Sequence, residues 1–125
     1  MRFLLDTHVF IWWLYDNERL SAAANAAILD PGNSVYISAV SVFEVRLKDA
    51  LRKITIARNW WEKLSEQEFD HLAFTVDHAN ATRQLPFIHR DPFDRMLIAQ
   101  AQVEGMTFVT RDRELRKYPV TVLSA

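Results

Sequence analysis

Short β-branched and aromatic runs alternate with helix-length segments along the whole chain, and this alternation limits the fold more than any other feature. Arg2 to Leu5 reads as a buried strand that begins almost at the first residue. Asp6-Thr7 then gives a helix start ahead of the apolar segment Val9 to Tyr15. Ser21 is placed to cap an alanine-rich helix through Leu29, and Asp30-Pro31-Gly32-Asn33 is a turn by composition. Val35-Tyr36-Ile37 predicts a second strand, followed from Ser38 or Ser41 by a helix to about Lys53. Next come a helix from Trp60 to Phe69 capped by Asn59, a brief strand in His71 to Thr75, and a short helix from Asp77 to Leu85-Pro86. Asp91-Pro92 supplies the N-cap and first position of a helix to Glu104, and Gly105 closes it. Thr107-Phe108-Val109 and Val120 to Leu123 are the last expected strands, with the charged segment Asp112 to Lys117 between them. Strands separated by helices are joined in parallel by right-handed crossovers. The expected architecture is therefore α/β, a doubly wound open sheet of mostly parallel strands with helices on both faces, in a single domain over residues 1–125.

Composition removes several classes of function. At 125 residues and 50% hydrophobic the chain can bury a core without staples, and with no cysteine it has neither disulfides nor a thiolate zinc site. No stretch approaches the roughly 20 apolar residues of a membrane span, and no basic leader precedes an apolar core segment, so no membrane association and a cytoplasmic location are expected. Gly32 and Gly105 are the only glycines, which rules out a glycine-rich phosphate loop and with it a bound nucleotide cofactor. His8, His71, His78 and His89 lack metal-ligand spacing and are expected to be non-catalytic. A net charge of -1 gives no whole-molecule attraction to polyanions, so any nucleic-acid contact must be local.

Four acids carry the chemical signal. Asp6, Glu44, Asp94 and Asp112 each follow an apolar run, and in an open parallel sheet ligands bind beyond the carboxyl ends of the strands. Carboxylates about 4 to 5 Å apart at an effective dielectric near 20 repel by roughly 3 to 4 kcal/mol per pair, so acids that converge there call for a cation. An all-oxygen set favours a hard ion, Mg²⁺ or Mn²⁺.

Each acid also has an ordinary alternative. Asp6 and Asp112 suit helix or turn caps, and Glu44 is spaced for a surface ion pair with Lys48. Asp94 complements the dipole in the first turn of its helix, while Asp91 is read as a cap. Two directions weigh against the ordinary readings. Val40, Phe43, Leu47, Leu51 and Ile54 form the expected apolar stripe of their helix with Glu44 at its rim, and Asp94 projects into the apolar arc of Phe93, Leu97 and Ala101. Basic groups lie nearby, at Arg46 to Arg58 and Arg111 to Lys117, in position to meet a phosphate backbone. The four tryptophans, Trp12, Trp13, Trp60 and Trp61, exceed what one small core easily hides and point to an interface.

Leu4-Leu5-Asp6-Thr7-His8, Ser41-Val42-Phe43-Glu44-Val45 with Lys48, the block from His89 to Ala101, and Val109-Thr110-Arg111-Asp112 together resemble PIN-domain ribonucleases, specifically the VapC toxins of bacterial toxin–antitoxin pairs. The resemblance spans nearly the full chain in order. It implies a PIN-like sheet and a Mg²⁺- or Mn²⁺-dependent endoribonuclease, a hydrolase leaving 5′-phosphate and 3′-hydroxyl ends. Asp6, Glu44, Asp94 and Asp112 would then be the catalytic and metal-holding quartet, Asp6 and Asp94 foremost, supported by Thr110. Lys48, Arg95 and Arg111 are candidate RNA contacts. A homodimer and a small antitoxin covering the acidic cleft are implied as partners. Two departures stand out: Arg52-Lys53 replaces a frequent Gly-Lys, and Phe43 a frequent Trp. The alternative is a non-catalytic PIN-fold module that binds RNA or protein. An aspartyl phosphatase is disfavoured because His8 stands where a second aspartate belongs.

Overall fold

The computed structural model describes residues 1–88 and 90–125. His89, which belongs to one of the motifs above, lies outside the described residues. Five strands form one parallel sheet: β1 (Arg2–Leu5), β2 (Ser34–Ser38), β3 (Asp70–Leu72), β4 (Thr107–Thr110) and β5 (Val122–Ser124), in the order β3-β2-β1-β4-β5. The expected doubly wound α/β sheet is observed. β1 is central, so its side chains are covered on both faces, and Phe3, Leu4 and Leu5 are all buried.

Helices α1 (Thr7–Tyr15), α2 (Ala22–Leu29), α3 (Ala39–Ala50), α4 (Trp60–Ser65), α5 (Val76–Ala81) and α6 (Pro92–Glu104) connect the strands. Alternation along the strands divides the core in two. Phe3, Leu5, Val35, Ile37 and Val109 pack with Val9 and Phe10 of α1, Ala24 and Ile28 of α2, and Trp60 and Leu64 of α4. Leu4 and Phe108 pack with Leu97, Ile98 and Ala101 of α6 and with Leu115 and Tyr118. Helix α3 contributes to both, through Val45 and Val40 respectively.

Local capping chemistry fixes several boundaries as expected. Ser21 Oγ accepts from the Ala24 amide at 3.0 Å to open α2. Asp91 accepts from the amides of Phe93 and Asp94 to open α6, which Gly105 ends in the left-handed region at φ 66°.

Other boundaries differ. α4 stops at Ser65 rather than Phe69, and Asn59 makes no side-chain cap. Thr75, not Asp77, opens α5, in a capping box with His78. The last strand is Val122–Ser124, two residues later than its apolar run suggests.

Helix α3 differs most from expectation. It ends at Ala50, and its buried residues are Val40, Ser41, Glu44 and Val45. Phe43 and Leu51, assigned to the apolar stripe, are 58% and 54% exposed. The helix sits between the two halves of the core with its polar Ser41 and Glu44 turned inward, where the Thr7 hydroxyl of α1 meets them. Among the described residues no helix is long and apolar enough to cross a membrane.

Candidate active site

Strand register brings the first acids together. Leu5 is opposite Val109, and the Asp6 amide donates to the Val109 carbonyl at 3.0 Å, so the ends of β1 and β4 sit side by side where the strand order reverses. Asp6 Oδ1 accepts from the Thr7 amide and Oδ2 from the Thr110 hydroxyl, both at 2.7 Å. Asp6 is thus both cap and site carboxylate. The Thr110 hydroxyl also accepts from the Asp112 amide at 3.1 Å, which ties the two acids through one side chain. Asp112 Oδ1 in turn caps the following 3-10 turn by accepting from the Glu114 amide.

From the neighbouring β2, α3 presents Glu44. The Thr7 hydroxyl, 2.9 Å from that of Ser41, donates to Glu44 Oε1 at 2.8 Å, and Lys48 pairs with Oε2. The surface-pair reading is therefore right about the partner and wrong about the surface, since Glu44 is only 4% exposed.

A cleft of about 440 Å³ is lined by Asp6, His8, Trp12, Glu44, Lys48, Asp91, Asp94, Arg111 and Asp112. All four predicted acids face it, and Asp91, read as a cap alone, faces it too. Burial first, then the charges of Asp6, Asp91, Glu44 and Asp112, push the Asp94 carboxyl up to about 8. Burial also raises Asp6, against the Thr110 hydrogen bond, His8 and the Thr7 amide, with Glu44 adding a smaller push upward. For Lys48 burial acts to lower the pKa, but the Glu44 hydrogen bond and charge, with Asp91 and Asp94, leave it raised.

The donor set is oxygen throughout and short of positive charge, which suits a hard divalent cation. Among the described residues no three acidic or histidine side chains stand close enough to hold an ion as they are, so binding one requires the carboxylates to draw in.

Of the basic candidates, Lys48 and Arg111 line the cleft, and Arg95 does not. Its guanidinium donates to the carbonyls of Pro86, Thr82 and Leu85 and to the Tyr118 hydroxyl, and lies 4.6 Å from the Phe87 ring centroid. Arg95 fastens the segment before α6, a role that outward helical geometry alone does not reveal. Sequence reasoning also passed over Thr7, Ser41, His8 and Trp12 as site residues. Position just after Asp6, or one turn apart on α1, was the available signal.

The PIN domain family model matches residues 3–120. Ribonuclease VapC22 of Mycobacterium tuberculosis is 35% identical over 127 residues, covering 95% of this chain and 96% of that protein. Among solved structures, VapBC2 from Rickettsia felis, bound to a DNA fragment from their promoter, superposes with a TM-score of 0.76 at 17% identity, covering 99% and 98% of the two chains. FitAcB from Neisseria gonorrhoeae gives 0.68 at 27% identity, covering 98% and 96%. The family match over residues 3–120 and the 35% identity across nearly the full length of both chains place the chain in the PIN-domain family, among the VapC toxin ribonucleases.

Proposed function

We propose that this chain is the toxin of a toxin–antitoxin pair and hydrolyses RNA phosphodiester bonds with Mg²⁺ or Mn²⁺. The single observation that carries the metal assignment is the convergence of Asp6, Glu44, Asp91, Asp94 and Asp112 on one cleft, where burial and its neighbours push the Asp94 carboxyl up to about 8. Such an arrangement is costly without a cation. Asp6 and Asp94 would be its chief ligands. When bound, the ion lowers the pKa of a water and neutralises charge on the phosphodiester.

The chain's own residues set the rest. Thr7 and Thr110 fix the direction of both Asp6 oxygens. Thr7 and Lys48 hold Glu44 facing the cleft, where it can orient an attacking water. Asp112 keeps its place through Thr110 and serves with Glu44, either toward the water or toward a second ion. Lys48 and Arg111 supply positive charge to the RNA backbone.

A homodimer, an antitoxin segment over the cleft, a cytoplasmic location and a single domain over residues 1–125 complete the reading. Membership of the VapC ribonucleases supports it. The test is cleavage of structured RNA by purified protein with Mn²⁺. Cleavage should stop with a chelator, leave 5′-phosphate ends, and be lost in Asp6→Asn. Undiminished cleavage by that variant sinks the assignment.

A further inference from the structure

All four tryptophans pack in or on one half of the core, and Trp12 alone also lines the acidic cleft. Trp60 is 1% exposed in the core, Trp13 donates its indole N–H to Gln67 at 3.0 Å and packs on Phe69, and Trp61 packs on Trp60 and His71. Trp12, one residue before Trp13, is rotated by about 100° around α1, and it faces the acidic cleft with His8 and Arg111. His8 lies one turn earlier and exposed, its ring centroid 5.7 Å from the indole. The Arg111 guanidinium sits 4.7 Å from the indole centroid, and its Nε donates to the Ala125 carbonyl at 3.3 Å. The imidazole, tilted 41° to the indole, and the guanidinium over the indole ring, with the Arg19 guanidinium 5.7 Å from the same centroid, make a cluster of π and cationic groups in the cleft that holds Asp6 and Asp112.

Five carboxylates outnumber Lys48 and Arg111 in this cleft, so a phosphate gains little there ahead of its cation. A nucleobase is neutral and offers a π face, and aromatic rings and guanidinium planes are what splayed RNA bases stack on. One such stack changes affinity by about 5- to 100-fold. We infer that His8, Trp12 and Arg111 form a nucleobase-stacking ledge that receives the base next to the phosphate in the acidic cleft. The substrate nucleotide is then single-stranded or flipped out, since a base inside a duplex presents no free face. This inference deepens the ribonuclease reading and rests on it.

The test separates stacking from simple support of the fold. Binding of a fluorescent eight-nucleotide single-stranded RNA of randomised sequence is measured by anisotropy with Mn²⁺ present, on a cleavage-disabled Asp94→Asn protein. The same RNA carrying one abasic ribose, moved through each position in turn, is compared. One abasic position should weaken binding about 5- to 100-fold in this protein and less than twofold when Trp12→Leu is added. Trp12→Phe should restore part of the base dependence. His8→Ala, at an exposed position, gives the same comparison with a smaller loss should Trp12→Leu fail to fold.

Equal losses with and without Trp12, no position at which the base matters, or no RNA binding at all overturns the ledge. Cleavage of intact RNA by the unaltered protein is followed alongside. Base-independent binding with cleavage intact removes the ledge alone, whereas absent cleavage removes the ribonuclease reading.

Discussion

Helices α3 and α6 each deliver one acid to the same cleft, and they hold it under opposite conditions. Glu44 of α3 is buried but compensated, with a hydroxyl on one oxygen and the Lys48 ammonium on the other. Asp94 of α6 lies in the first turn of its helix, among four further carboxylates that together with burial push it to about 8. The helices also end differently. Gly105 takes the left-handed conformation after α6 at φ 66°, whereas after α3 the same task falls to Arg52 at φ 57°. Glu44 is held by partners of the fold, whereas Asp94 is the acid proposed to hold the ion.

The largest effect should come from Asp94, a proposed chief ligand of the ion. Asp94→Asn should lower kcat for RNA cleavage by about 10³-fold or more, and Glu44→Gln by less. A larger loss at Glu44 in a gel-based cleavage assay would invert the ranking.

Metal affinity should follow the Asp94 proton. Below pH 8 that proton must leave for the ion to bind, so Mn²⁺ affinity should rise by about tenfold per pH unit up to about 8 and then level. Calorimetry at pH 6, 7 and 8 checks this, and Asp94→Asn should flatten the slope.

Stability should respond with opposite signs. A carboxyl raised from 3.8 to about 8 is protonated in the fold and ionised in the unfolded chain across that window, so the metal-free protein loses stability as pH climbs through it. At pH 8, Asp94→Asn should stabilise the metal-free protein by about 1–2 kcal/mol, while Glu44→Gln should destabilise it by about 1–2 kcal/mol through the lost ionic hydrogen bonds. Thermal melts without metal read both, and the same sign for the two variants would end the contrast between the acids.

The smallest effect concerns the helix ends. Arg52→Gly removes the Cβ penalty of the left-handed region and should stabilise by about 1 kcal/mol. A denaturant midpoint that does not rise would show that the Arg52 side chain compensates locally.

Legibility followed the same division. Helix α6 was readable end to end because Asp91-Pro92 and Gly105 act through their own backbone neighbours. Helix α3 was not. Its periodicity selected Phe43 and Leu51, which are exposed, over Ser41 and Glu44, whose burial depends on the Thr7 hydroxyl arriving from another element. Asp91 was readable as a cap, and its place in the cleft was hidden because one oxygen can bond the helix while the carboxylate still faces solvent. The bracing role of Arg95 was hidden because its acceptors are carbonyls of a segment whose path no local rule predicts.

By itself the sequence determined the alternation of strands and helices, the parallel sheet that follows from it, and which acids stand at element ends, since propensity, capping and periodicity are short-range. Only the tertiary structure decided that Glu44 is buried against Thr7 and Lys48, that Asp91 joins the acids of the cleft, and that Trp12 and not Trp13 turns to it. Those outcomes depend on which distant backbone or side chain arrives within hydrogen-bonding distance, and in a sheet ordered β3-β2-β1-β4-β5 the partners lie tens of residues apart along the chain.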